Sequence, residues 1–218
     1  MNYREIIKKG TSILSDNAIF NADYDAELLL CISLKKSREN ILLNLEDKLS
    51  YNQIKNYLNL INRRKNNEPI SNITSNKFFW KYEFMINNNV LTPRFETELL
   101  VEEILRIYKY SEDLRILDIG IGSGCILISL LKEKKKWKGD GLDISKFALK
   151  IAKTNAKIQQ VWNRIKFIKT DIDNFNSSKY DLIVSNPPYL TEEEYTASQE
   201  EIKKYEPKIA LVGGKDGL

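Results

Sequence analysis

The segment Arg115-Ile116-Leu117-Asp118-Ile119-Gly120-Ile121-Gly122-Ser123-Gly124 decides the fold. Aliphatic residues run straight into a glycine-rich turn, and a second apolar run, Ile126 to Leu131, follows at once. Strand, tight loop and helix is the reading of that order. The same alternation continues downstream, with strand Gly139 to Ile144, helix Phe147 to Asn155, strand Ile165 to Thr170 and strand Tyr180 to Ser185. Upstream, a helix over Glu98 to Tyr108 is expected to present Leu100, Ile104, Ile107 and Tyr108 on one face. Strands alternating with helices of this length predict a parallel, doubly wound α/β sheet from Pro93 onward.

The chain before Pro93 has a different texture. Residues 1–66 read as short helices: Ala26, Leu29, Leu30 and Ser33 share a face, and Ser50 with Gln53 forms a capping box ahead of Ile54, Leu58 and Ile61. Nothing there looks catalytic, so a docking or stabilising module is expected. Residues 67–92 hold Pro69, the aromatic and β-branched runs Ile73 to Trp80 and Tyr82 to Ile86, and three consecutive asparagines. An extended or hairpin connector fits that pattern. The expected organisation is a helical domain over 1–66, a connector over 67–92 and an α/β core over 93–218.

Composition removes whole classes of chemistry. There is no histidine, which excludes Ser-His-Asp and Cys-His nucleophiles, histidine-ligated metals and an imidazole general base. Cys31 and Cys125 lie inside apolar segments without metal spacing, so no metal site is expected and both read as reduced core residues. A net charge of +4 is weak for a nucleic-acid binder, and no direct nucleic-acid partner is expected. The clusters Arg63 to Lys65 and Lys132 to Lys138 fall near predicted helix ends, where the macrodipole favours cations. No apolar run is long enough to span a bilayer, and a cytoplasmic monomer without membrane association is the expectation.

Chemistry concentrates at the carboxyl ends of the predicted strands. Gly120 to Gly124 lacks the third glycine of the dinucleotide fingerprint, since position 125 is cysteine. That departs from pyrophosphate binding and suits S-adenosylmethionine, whose amino-acid tail needs only room. Asp143 ends the next strand, 19 residues after Gly124, where a carboxylate accepts from both ribose hydroxyls of an adenosine cofactor. The plainer alternative for Asp143 is a helix cap before Ser145. Asp171 ends the third strand, where adenine would lie, and Asp118 orients either the loop or the methionine tail.

The most specific signal is Asn186-Pro187-Pro188-Tyr189, directly after the fourth strand. Pro187 biases Asn186 towards extended backbone, and two prolines give a rigid edge without N–H donors. Such an edge suits a planar amide or amine. The Asn186 side-chain oxygen and the Pro187 carbonyl accept the two N–H bonds of the target and hold its nitrogen in line with a methyl carbon. Tyr189 packs on the target or offers its ring face to the sulfonium. The proton leaves after transfer, when the nitrogen has become acidic, so no histidine is required.

The chain resembles the bacterial release factor glutamine N5-methyltransferases. The matching residues are Arg63-Arg64-Lys65, Glu68-Pro69-Ile70, Phe79-Trp80, Pro93 to Glu98, Gly120 to Gly124, Asp143, Asn186 to Tyr189, Tyr205-Glu206-Pro207 and Gly213-Gly214. The resemblance implies a Rossmann-like class I methyltransferase sheet behind a helical domain and hairpin connector. It implies S-adenosylmethionine contacts at Gly120, Ile121, Gly122, Ser123, Gly124, Asp143, Asp171, Ile172 and Asn186. It also implies a catalytic edge of Asn186, Pro187 and Tyr189, with Pro188 completing the grip on the substrate, the glutamine of a Gly-Gly-Gln loop in peptide chain release factors. Phe95 stands where the family usually has proline, and Ser75 and Phe78 where glycine and glutamate are common.

Two rivals share the motif: methylation of an exocyclic amine on a nucleic-acid base, and a non-catalytic cofactor-binding fragment. The family sheet has seven strands, whereas four are found here, ending near Ile119, Ile144, Thr170 and Ser185. The expectation is therefore a C-terminally truncated chain, poorly stable or self-associating, with little turnover.

Overall fold

The computed structural model describes residues 1–176 and 179–217; Ser177, Ser178 and Leu218 lie outside the described residues. The chain forms two compact units, Met1–Thr74 and Ser75–Leu218.

In the first unit, α1 (Tyr3–Ser15), α2 (Ala22–Leu34), α3 (Arg38–Leu43), α4 (Tyr51–Lys65) and α5 (Ile70–Thr74) surround one apolar core. Two of the long helices, α1 and α4, start at a capping box written in the sequence. Asn2 with Glu5 caps α1 and Ser50 with Gln53 caps α4, both as reciprocal boxes. Ala26, Leu29 and Leu30 are fully buried, and Tyr57 from α4 reaches across to donate to the Ala26 carbonyl at 3.3 Å. Arg63 and Arg64 stand in the last turn of α4 and are paired rather than merely solvated, Arg64 with the buried Asp25 at 2.7 Å. The extended reading fails at Ile70–Thr74, which is helical. Pro69 opens that turn, its carbonyl accepting from Asn72 and Ile73, and proline at a helix start costs no hydrogen bond.

The second unit opens with an antiparallel hairpin, β1 (Asn76–Phe79) and β2 (Tyr82–Met85), turning at Trp80 in left-handed backbone. Phe79 and Phe84 are buried in the same core as the main sheet. Glu133 binds the hairpin, accepting from Trp80 Nε1, Tyr82 Oη and Lys81 Nζ at 2.9–3.1 Å.

After α6 (Glu98–Ile107) come β3 (Arg115–Ile119), α7 (Cys125–Glu133), β4 (Lys138–Asp143), α8 (Lys146–Ile158), β5 (Ile165–Lys169) and β6 (Leu182–Ser185). All four strands are parallel, in the order β5-β4-β3-β6. The order reverses between β3 and its two neighbours, the place where open α/β sheets bind ligands. In β4, glycine is needed for approach: a Cβ on Gly141 would lie 2.2 Å from Ile121 Cδ1. Two short helices follow, α9 (Glu192–Ala197) and α10 (Glu200–Tyr205).

Some boundaries differ from the sequence reading. On α6 and its C-cap, Leu100, Ile104 and Tyr108 of the expected stripe pack on the core, joined by Val101, whereas Ile107 is exposed. Tyr180 precedes β6, and its hydroxyl donates to Asp140 at 2.7 Å. Asp171 lies past the end of β5 and caps a 3-10 turn by accepting from the Asp173 amide. None of the helices among the described residues is long and apolar enough to cross a membrane.

Candidate active site

The carboxyl ends of β3, β4, β5 and β6 converge on one cavity of about 320 Å³, within the usual range for small-molecule sites. The glycine loop forms part of its wall. Gly120, Gly122 and Gly124 all have positive φ, 73°, 54° and 82°, a conformation that any other residue adopts only with strain. A Cβ on Gly120 would meet nothing within 4 Å. The loop therefore offers bare backbone to the cavity.

Two side chains, Asp143 and Asn155, hold that backbone. Asp143 Oδ2 accepts from the Gly122 amide at 3.0 Å and Oδ1 from the Ser145 amide at 2.8 Å. Ser145 itself caps α8, so Asp143 is not the cap that the plainer reading made it. Each carboxylate oxygen retains acceptor capacity towards the cavity. Burial pushes the Asp143 carboxyl above its ordinary range, against the two amides. Asn155, fully buried on α8, donates from Nδ2 to the Ser123 and Met85 carbonyls at 2.8 and 2.9 Å, while its Oδ1 accepts from the Met85 amide. One amide thus joins the hairpin to the loop.

Asp118 lies beneath. It is 1% exposed, does not reach the cavity wall, and neither carboxylate oxygen has a hydrogen-bond partner among the described residues. Burial pushes its carboxyl up to about 7; the Leu127 amide opposes this without reaching hydrogen-bond geometry, and Asp143 adds to it. Neither role considered for Asp118 is carried by a hydrogen bond of its carboxylate.

The proline edge forms another part of the wall. Ser185 donates to the Ile119 carbonyl at 2.9 Å, tying β6 to β3 just before Asn186. Asn186, Pro187 and Pro188 line the cavity. Backbone bonds from Tyr189 and Leu190 to the Leu211 carbonyl, at 3.1 and 2.9 Å, and from Gly213 to the Leu190 carbonyl, hold the edge against the segment after α10.

The cavity therefore brings together Gly120, Ile121, Gly122, Ser123, Asp143, Asp171, Ile172, Asn186, Pro187 and Pro188. Two expected residues stand outside its wall: Gly124, which serves as the N-cap of α7, and Tyr189, whose ring is 63% exposed. Sequence reasoning missed the apolar wall of Leu142, Ile144 and Ala148, and the opposite wall of Arg94, Thr97 and Pro207. Asn155 was also missed, since an asparagine inside a helical run carries no motif.

The family model described as Methyltransferase small domain matches residues 95–208, and that described as PrmC N-terminal domain matches residues 5–74. The chain is 38% identical to a release factor glutamine methyltransferase of Caulobacter vibrioides, over 94% of this chain and 71% of that protein. It is 35% identical to one of Clostridium acetobutylicum, over 100% of this chain and 78% of that protein. The chain belongs to the release factor glutamine methyltransferase family. It is thus a methyltransferase with a class I fold, and its cofactor is S-adenosylmethionine. A third relative, a bifunctional methyltransferase of Rickettsia typhi, is 35% identical over 99% of this methyltransferase, which spans 45% of the Rickettsia protein's length.

The residues present fit that cofactor. Open backbone at Gly120 leaves room for an amino-acid tail, Asp143 presents a carboxylate at the strand end, and Leu142, Ile144 and Ala148 give an apolar surface for a flat base.

Proposed function

We propose that this chain methylates the side-chain amide nitrogen of the glutamine in a Gly-Gly-Gln motif of a peptide chain release factor. The observation that carries the reading is one cavity lined both by the glycine loop with Asp143 and by Asn186-Pro187-Pro188. The names of the relatives from Caulobacter vibrioides and Clostridium acetobutylicum support the substrate.

When bound, S-adenosylmethionine supplies an electrophilic methyl carbon on a sulfonium that leaves as a neutral thioether. The chain supplies position. Gly120 to Ser123 and Asp143 would hold the tail and the ribose, and Asp171 and Ile172 would line the site of the base. Asn186 Oδ1 and the Pro187 carbonyl accept the two N–H bonds of the target amide. The nitrogen lone pair, delocalised into its own carbonyl, is a poor nucleophile, so alignment rather than basicity is what the site contributes. Its proton passes to water after the N–C bond has formed. Tyr189, exposed beside this edge, packs on the arriving target, and the helical unit Met1–Thr74 serves as the docking module. All the residues named lie on one chain, so a monomer suffices.

Labelled methyl cofactor offered together with release factor, its Gln→Ala variant, DNA and RNA tests the assignment. The expected result is label on the release factor alone. Label on the glutamine-free variant or on nucleic acid contradicts it.

A further inference from the structure

Two family-like segments, Pro93 to Glu98 and Tyr205-Glu206-Pro207, both contribute to the cavity wall. They are 112 residues apart in sequence at Arg94 and Glu206, yet Arg94 Nη2 donates to Glu206 Oε2 at 2.6 Å. Glu206 is 8% exposed overall. Burial raises its carboxyl pKa against the pull of Arg94. A buried carboxylate held by a guanidinium keeps one geometry, because losing that partner leaves a charge stranded in low dielectric. The pair fastens two stretches of cavity wall, Pro93, Arg94 and Thr97 on one side and Pro207, Ile209 and Ala210 on the other.

Thr97 is the far end of that fastening. It occupies the N-cap position of α6, where threonine is favoured because its oxygen accepts from the helix amides. Here it makes no such bond. Its Oγ1 instead lies 3.5 Å from Asn186 Nδ2, a long contact of the kind that tightens when substrate closes a site. The amide of asparagine has two faces that differ only in which atom is donor and which acceptor. A target –NH₂ group needs Oδ1; the other orientation presents donors to donors.

We propose that Thr97 is a positioning residue that takes an N–H of Asn186 and turns its Oδ1 towards the target amide, and that the Arg94–Glu206 pair holds Thr97 in place to do so. The proposal rests on the reading of Asn186 given above.

The test has one arm that needs no turnover. In protein carrying ¹⁵N-asparagine, the Nδ2 signals of Asn186 are identified as the pair missing from Asn186→Asp. Thr97→Val should shift and broaden them, Glu206→Gln should do the same, and Thr97→Ser should restore the wild-type positions. In methyl transfer to release factor, Thr97→Val should lower kcat at least tenfold with cofactor affinity and substrate KM within twofold, and Thr97→Ser should recover the rate. The double variant Thr97→Val/Glu206→Gln should lose little beyond Thr97→Val, because both act through one contact. Arg94→Lys gives a second probe of the fastening should Glu206→Gln unfold. Unmoved Asn186 signals or an unchanged kcat in Thr97→Val overturns the positioning role. Losses that multiply in the double variant overturn the role of the ion pair. If the signals respond as described but no methyl reaches a glutamine, the inference stands and the proposed substrate falls.

Discussion

Asp118 and Asp143 end neighbouring strands and do opposite things. Asp143 has both oxygens engaged by backbone amides and still faces the cavity. Asp143→Ala should weaken S-adenosylmethionine binding by about 1.5–3 kcal/mol, the scale of a hydrogen bond to a charged group. Unchanged affinity by calorimetry would leave Asp143 as a loop support only. Asp118 has no such partners, and its carboxyl is raised from 3.8 to about 7. A raised acid holds its proton more tightly when folded than when unfolded. Its favourable contribution is complete below about pH 4 and is lost as pH rises towards 7, at up to about 1.4 kcal/mol per pH unit. The stability of Asp118→Asn relative to wild type should therefore climb from pH 4 to 7 and level off above. A difference that stays flat across this range in denaturant melts contradicts the buried, unpartnered state of Asp118. Asp143 was legible from its spacing after Gly124. The environment of Asp118 was not, because burial is a property of what packs on a residue rather than of its neighbours in sequence.

Elements were legible where local chemistry decides them and less so where packing does. Both Ser50 with Gln53 and the glycine turn after Ile119 are local signals, and the structure follows them. Ile70–Thr74 is helical despite its β-branched residues, since Pro69 starts a turn and Ile73 is buried in the helical core. Ile107 is exposed although it fits the apolar stripe of α6. Asn155 is the clearest case of a role without a motif, because its three partners come from positions 85 and 123. Asn155→Ala leaves the Met85 amide and carbonyl and the Ser123 carbonyl without it, at about 1–3 kcal/mol for each buried group not re-satisfied. The variant should melt lower than wild type and also bind cofactor more weakly, because the loop loses its support. If melting falls while cofactor affinity is unchanged, Asn155 supports the hairpin and not the loop.

At the scale of the whole molecule, the parallel sheet places the glycine loop and the Asn186-Pro187-Pro188 edge after adjacent strands, β3 and β6, and both line one cavity. On the function proposed above, that arrangement is what would let a protein without histidine carry out methyl transfer by positioning. Four parallel strands were legible from the alternation of apolar runs and glycine turns. The wall carrying Arg94 and Glu206 was not, since its two halves meet only in the fold. The most direct test is single-turnover methylation of release factor by Asn186→Ala and Asn186→Asp at saturating cofactor, with cofactor affinity measured in parallel. The account predicts that Asn186→Ala binds cofactor within a few-fold of wild type yet loses most of its methyl-transfer rate, while Asn186→Asp, which keeps its acceptors, retains more. Transfer by Asn186→Ala at the wild-type rate would contradict it.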